Sequence, residues 1–137
     1  MNNRITQDKA YNYLLSGKAT VTFHNTLTDG QFTFTINQKT VGTPKVTLGI
    51  WYVYHANVYI GFIRGDVFIL HNVIPSNKQE AVKAIKWCWG NIIKQTIPDT
   101  LHILHDGTCG KCHRRLTDAE SIEYGLGKVC REALGIV

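Results

Sequence analysis

From residue 19 to about residue 71 the apolar residues of this chain recur at every second position or in short aromatic and β-branched runs, the pattern of strands with one buried face. Val21 and Phe23 alternate with Thr20, Thr22 and His24, and Phe32, Phe34 and Ile36 alternate with Thr33 and Thr35. "TDG" between the two sets supplies a hairpin turn. Three more runs follow, "KVTLGIWYVYH", "VYIGFI" and "VFILH", separated only by "AN" and "RGD". Linkers this short suit tight turns between antiparallel neighbours, because parallel strands need long crossovers. An antiparallel meander of about five strands is therefore expected. Trp51, Tyr52, Tyr54 and Tyr59 fall on both faces of it; burial in the core is the first reading of such aromatics, and an exposed binding platform is the alternative.

Helical signals flank the meander. Thr6 can cap a short helix through "QDKAYNYLLSG", with Ala10, Tyr13 and Leu14 on one face and Gly17 near its end. Residues 76–94 carry the strongest helical pattern, in which Ser76 and Gln79 form a capping box and Ala81, Ile85, Cys88 and Ile92 make one apolar stripe. Cys88 belongs to that stripe and reads as a small buried hydrophobe. "TIPDT" ends the helix, and "LHILH" returns toward the carboxy terminus in extended form. The fold class expected is α+β, with a β-rich body over residues 1–98 holding both helices, and a metal module over residues 99–137 packed on it as one unit.

At 137 residues the chain can bury a core without metal or disulfide help, so a metal site would order one region only. The start of the chain lacks a signal-peptide pattern and no apolar run reaches membrane-spanning length, which predicts a cytoplasmic protein with no membrane partner. In a reducing compartment, clustered cysteines point to coordination or redox chemistry. The formal charge is +5, falling to about +4 once three thiolates and one zinc(II) are counted. A mildly basic balance suits an anionic partner and argues against mimicry of DNA.

Cys109 and Cys112 have the C-x2-C spacing that lets two sulfurs on one turn reach one ion, and Gly110 eases that turn. His113 stands where such knuckles use a residue with positive φ. Thr117 and Glu120 form a second capping box, opening a helix through "DAESIEY" that Gly125 can end, and Cys130 comes near the start of a last helix. A helix start favours the thiolate, the form a metal needs. A closed structural zinc site wants four donors, so a fourth is sought among His105, His113, His102 and Cys88. His105, four residues before Cys109 at the end of the approaching strand, ranks first. His113 is bonded directly to a cysteine residue, and His102 faces the other way in an extended segment. The expected zinc ligands are His105, Cys109, Cys112 and Cys130, with His113 as the alternative fourth donor.

"CGKC" also looks like the redox pair of thioredoxin-like proteins, but that motif should come after a strand and open a long helix, and it would leave Cys130 unexplained. The sequence has no HExxH, deaminase, P-loop or G-x-S-x-G motif, and no catalytic set accompanies His113 to make a knuckle nuclease. A non-enzymatic binding protein is expected. Lys111, Arg114, Arg115, Lys128 and Arg131 cluster in sequence around the cysteines as candidate partner contacts, though a solvated charged face explains them equally.

His105, "CGKCHRRLT" and "ESIEYGLGKVC" together resemble a family of small phage and bacterial proteins of uncharacterised role, with a C-terminal H-x3-C-x2-C…C zinc module. His113 replaces the usual glycine of that family. The resemblance implies a zinc-binding phage protein in the cytoplasm of a bacterial host. The chain also resembles, in its overall layout, zinc-containing type II-A anti-CRISPR proteins. That likeness implies inhibition of a host defence nuclease, Cas9, by surface binding. Direct binding of nucleic acid by an accessory protein with a structural zinc is the alternative.

Overall fold

The computed structural model describes residues 3–136. The chain runs β1 (Arg4–Ile5), α1 (Gln7–Leu14), β2 (Lys18–Asn25), β3 (Gly30–Val41), β4 (Val46–His55), β5 (Val58–Arg64), β6 (Val67–Leu70), α2 (Gln79–Lys94), β7 (Leu101–His105), α3 (Ala119–Tyr124) and α4 (Lys128–Ala133). Among the described residues all strands join one antiparallel sheet of seven, in the order β1-β7-β2-β3-β4-β5-β6. The architecture is α+β, and β2 to β6 are the expected five-strand meander. Its tight turns place Asp29, Ala56, Asn57 and Asp66 at positive φ, a conformation that Asn and Asp accept more readily than most residues.

Alternation sorts the sheet into two unlike faces. Val21, Phe23, Phe34, Ile36, Val53, Ile63 and Ile103 point to one face and are buried. Helices α1 and α2 cover that face. Ala10, Tyr13 and Leu14 of α1 and Ala81, Val82, Ile85, Cys88, Trp89 and Ile92 of α2 complete the core, so Cys88 is a core thiol. Burial pushes its pKa up to about 12, which leaves it protonated and unreactive. On the opposite face the side chains of Thr20, Thr22, Thr33, Tyr52, Tyr54 and Tyr59 are exposed or half-buried.

Three capping expectations are corrected. Thr6 stands at the cap of α1 but makes no side-chain cap bond, and its carbonyl accepts the Lys9 and Ala10 N–H groups at 3.0 and 3.1 Å. Ser76 lies in a 3-10 turn, Ser76–Lys78, in which the Lys78 N–H bonds to the Pro75 carbonyl, so a backbone turn replaces the side-chain cap of α2. At α3 the cap is Asp118, one residue later than Thr117. Its carboxylate accepts the Ser121 N–H at 3.0 Å, while Glu120 turns to Arg131.

β7 is extended, as "LHILH" predicts. Its place in the sheet has larger consequences: it lies between β1 and β2, with Val21 opposite His105 and Phe23 opposite Ile103. The first strand after residue 98 is thus a member of the body's own sheet, and the cysteine segment leaves directly from it. Tyr13 anchors that segment. Its hydroxyl donates to the Thr20 carbonyl at 2.7 Å, and its ring fills the space where a Cβ on Gly110 or Gly125 would stand. Glycine at both positions lets the cysteine turn and the end of α3 close on one aromatic ring.

Candidate metal centre

The cysteine turn is built from backbone hydrogen bonds. Thr108 bridges to Arg115, the Cys109 N–H donates to the Arg114 carbonyl at 2.8 Å, and the His113 N–H donates to the Cys109 carbonyl at 3.0 Å. His113 takes φ 64°, the positive value expected of that position. The turn is tied to the sheet by the Lys18 N–H on the Gly110 carbonyl and to α3 by the Gly110 N–H on the Gly125 carbonyl. Gly125, at φ 70°, ends α3 and turns the chain so that α4 brings Cys130 back to the other two cysteines.

The sulfurs of Cys109, Cys112 and Cys130 all lie within 4.8 Å of one another. Cys109 is buried, Cys130 half-buried and Cys112 exposed. Burial opposes the Cys109 thiolate, but N–H groups of Cys112, Gly127 and Lys111, with the Cys130 thiol, outweigh it and hold its pKa below the ordinary value. The Gly127 N–H contact is 3.4 Å. Burial, then hydrogen bonding and repulsion from Cys109 and Cys112, push Cys130 up to about 12. Three thiols this close share one anionic charge poorly among themselves, and a divalent cation removes the conflict by accepting all three as thiolates. Amide donors aimed at a sulfur are also what a thiolate ligand uses as outer support. The donor set fits a metal ion that takes soft ligands.

His105 is not brought into this set. It is buried, and both ring nitrogens are committed to backbone: Nδ1 accepts the Gly107 N–H at 2.9 Å, and Nε2 pairs with the Ile122 carbonyl at 2.7 Å. That pattern fixes a neutral ring with its proton on Nε2. Burial lowers its pKa, against smaller opposing effects from the Ile122 carbonyl and Asp106. His113, the other strong candidate, places Nε2 on the Lys18 carbonyl at 2.9 Å. His102 faces away from the cysteines across the sheet, beside His24, with ring centroids 6.2 Å apart. Each of these histidines has a local backbone or packing role that spacing along the chain does not reveal.

The three cysteines open onto a cleft of about 390 Å³ whose rim carries Arg114, Arg115 and Lys128. These three candidate contacts are exposed. Lys111 sits half-exposed in the turn itself. Arg131 is different: it is buried, its guanidinium donates to the Ser121 hydroxyl at 3.1 Å and the Leu126 carbonyl at 2.6 Å, and it lies 5.1 Å from the Tyr124 ring centroid. It holds α3 and α4 together and is withdrawn from any partner. The one carboxylate on the cleft wall, Asp118, is the cap of α3.

Residues 99–135 match the model of a family of unknown function, DUF6011. The matched span is little more than a quarter of the chain, and it contains β7, all three clustered cysteines, α3 and α4. No curated protein and no solved structure matches the chain.

Proposed function

We propose that this chain is a non-catalytic binding protein whose carboxy-terminal module is locked by a zinc ion, and that its partner is nucleic acid met at the basic rim of the cysteine cleft. The observation that carries the reading is the trio of sulfurs within 4.8 Å beneath Arg114, Arg115 and Lys128. Cys109, Cys112 and Cys130 would supply three of the four donors that zinc takes, and the ion's contribution is to fix the turn and α4 relative to each other, and with them the three cations. The cleft wall supports binding over catalysis, since its single carboxylate is already spent on a helix cap and no histidine lines it.

Charge supports nucleic acid among the two partners raised by the sequence. A chain of net charge +5 with cations at its cleft is drawn to phosphates. Inhibition of Cas9 by surface binding would need an acidic patch on the nuclease, because like charge opposes docking of this chain at the positively charged nucleic-acid channel. Inhibition of such a nuclease stays as the second reading, resting on resemblance.

The test combines metal analysis with binding. Protein purified without chelator should carry about one zinc per chain by mass spectrometry, and Cys109→Ser or Cys130→Ser should lose it. Labelled DNA and RNA should bind at low salt, and Arg114→Gln with Arg115→Gln should weaken that binding. Metal-free wild type would sink the zinc reading. Absence of nucleic-acid binding at low salt, together with a stable Cas9 complex and blocked cleavage, would replace it with the second.

A further inference from the structure

The seven strands contain no Asp or Glu. All ten acidic residues lie in helices, turns and connections. The sheet face left bare by the helices is therefore free of acidic side chains from its own strands, and it carries cations and aromatic rings in register. Lys18 of β2 pairs with Asn37 of β3, which pairs with Tyr52 of β4, so these three stand in one row on that face. In the next row Thr20, Thr35, Tyr54 and Tyr59 succeed one another across β2 to β5.

The rings form one cluster. Tyr59 lies 5.7 Å from Tyr52 and 5.6 Å from Tyr54 between centroids, and its other neighbour is His71 at 4.8 Å. The Lys39 ammonium stands 6.0 Å over the Tyr52 ring. All three tyrosines are half-buried: packed enough to be held in place, yet still presenting ring surface to solvent. Asp29, in the β2–β3 turn, pairs with His24 at 2.7 Å at the Asn25 end of β2 on this face. Cross-strand aromatic packing stabilises a sheet by itself, but it does not call for cations beside the rings.

We propose that this face binds single-stranded nucleic acid, with bases stacked on Tyr52 and Tyr54 and phosphates met by Lys18 and Lys39. Unpaired bases are required, because the base faces of a duplex are already stacked and out of reach of a flat sheet. Lysines beside the rings, on strands with no acids of their own, select a polyanion over a neutral ligand of similar flatness. Rings already fixed by their neighbours lose little freedom on binding. The face meets the cysteine turn at Lys18, whose carbonyl pairs with His113. The proposal rests on nucleic acid being the partner, and not on the metal or on the cleft as the place of contact.

The test uses the full, metal-loaded chain and fluorescently labelled single strands, oligo(dT) and oligo(U), of about twelve nucleotides, within the usual site size. Anisotropy is measured at about 50 mM salt, where phosphate contacts are strong. Tyr52→Ala and Tyr54→Ala should each weaken binding by about fivefold to a hundredfold, the range of a lost stacking contact. Tyr54→Phe should bind within about twofold of wild type, since it keeps the stacking ring. A duplex of the same length should bind more weakly than either single strand. Should an alanine variant fail to give the native far-ultraviolet circular dichroism, Lys18→Gln and Lys39→Gln carry the test on an intact ring cluster, and both should weaken binding. Tight binding that ignores all four positions but is lost in Arg114→Gln with Arg115→Gln would place the strand in the cleft and overturn this proposal while leaving the proposed function intact. Lack of any binding to single or double strands would end both.

Discussion

His105 shows how one residue's role depends on partners that its neighbours in sequence do not announce. Its spacing from Cys109 suits a ligand, but the ring is held by the Gly107 N–H and the Ile122 carbonyl, the second of these seventeen residues away. Burial depresses its pKa below 6.5, and protonation of Nδ1 would also break the bond from Gly107. The unfolded chain therefore binds this proton more readily than the folded one. The stabilisation is fully present above the ordinary pKa of 6.5 and is lost as pH falls through the lower folded value. His105→Gln should keep its zinc, and its stability deficit in urea should be larger at neutral pH than in mild acid. Taking the difference between the two proteins at each pH cancels His55, which burial and Lys78 shift in the same direction, along with the cysteines. Loss of metal in the variant would restore His105 as a ligand, and a deficit independent of pH would remove the titration argument. Arg131 obeys the same logic: its place beside Cys130 suggests a surface contact, and the Ser121, Leu126 and Tyr124 groups that enclose it are invisible at that spacing.

Elements whose partners are near in sequence are readable from it, and those with distant partners are not. The hairpins from β2 to β6 announce themselves through alternation and turn residues, and the stripe of α2 marks Ala81, Ile85, Cys88 and Ile92 as core. The extended character of β7 is equally plain. Its insertion between β1 and β2 is not, because the pairing of Val21 with His105 spans most of the chain and leaves no local signature. That insertion makes a specific prediction about the metal. β7 is held by sheet hydrogen bonds, while the segment beyond it depends on short helices, two glycine contacts with Tyr13 and the sulfur cluster. Helices of six residues are unstable on their own, so removing the ion should release them first. Under chelation, amide hydrogen exchange should accelerate from Cys109 to Ala133 and stay slow in β2 to β5 and β7. Uniform acceleration would mean that the ion holds the whole fold, and no change would mean that it holds none of it.

At the scale of the whole molecule, charge is segregated. Ten acids and fifteen Lys and Arg residues share the chain, yet no acid enters the strands. The sequence displays this distribution openly, but its meaning needs the fold, because only the placement of α1 and α2 on one side tells which strand residues remain bare. A surface of this kind should bind by releasing counterions from phosphates, and salt measures how many. For a single strand, the logarithm of the affinity should fall with the logarithm of salt at about 0.7 per phosphate neutralised. With two phosphates engaged, by Lys18 and Lys39, raising salt from about 50 to about 200 mM should weaken binding by roughly sevenfold, and a steeper fall would bring in the cations of the cleft. Lys39→Gln should lower the slope by about 0.7, one phosphate's worth, whereas Tyr54→Ala should lower the affinity and leave the slope unchanged, because stacking releases no ions. That separation ties the lysines to phosphate and the rings to base. If Tyr54→Ala moved the slope as much as Lys39→Gln does, the ring would be acting through the shape of the face and not through contact with a base.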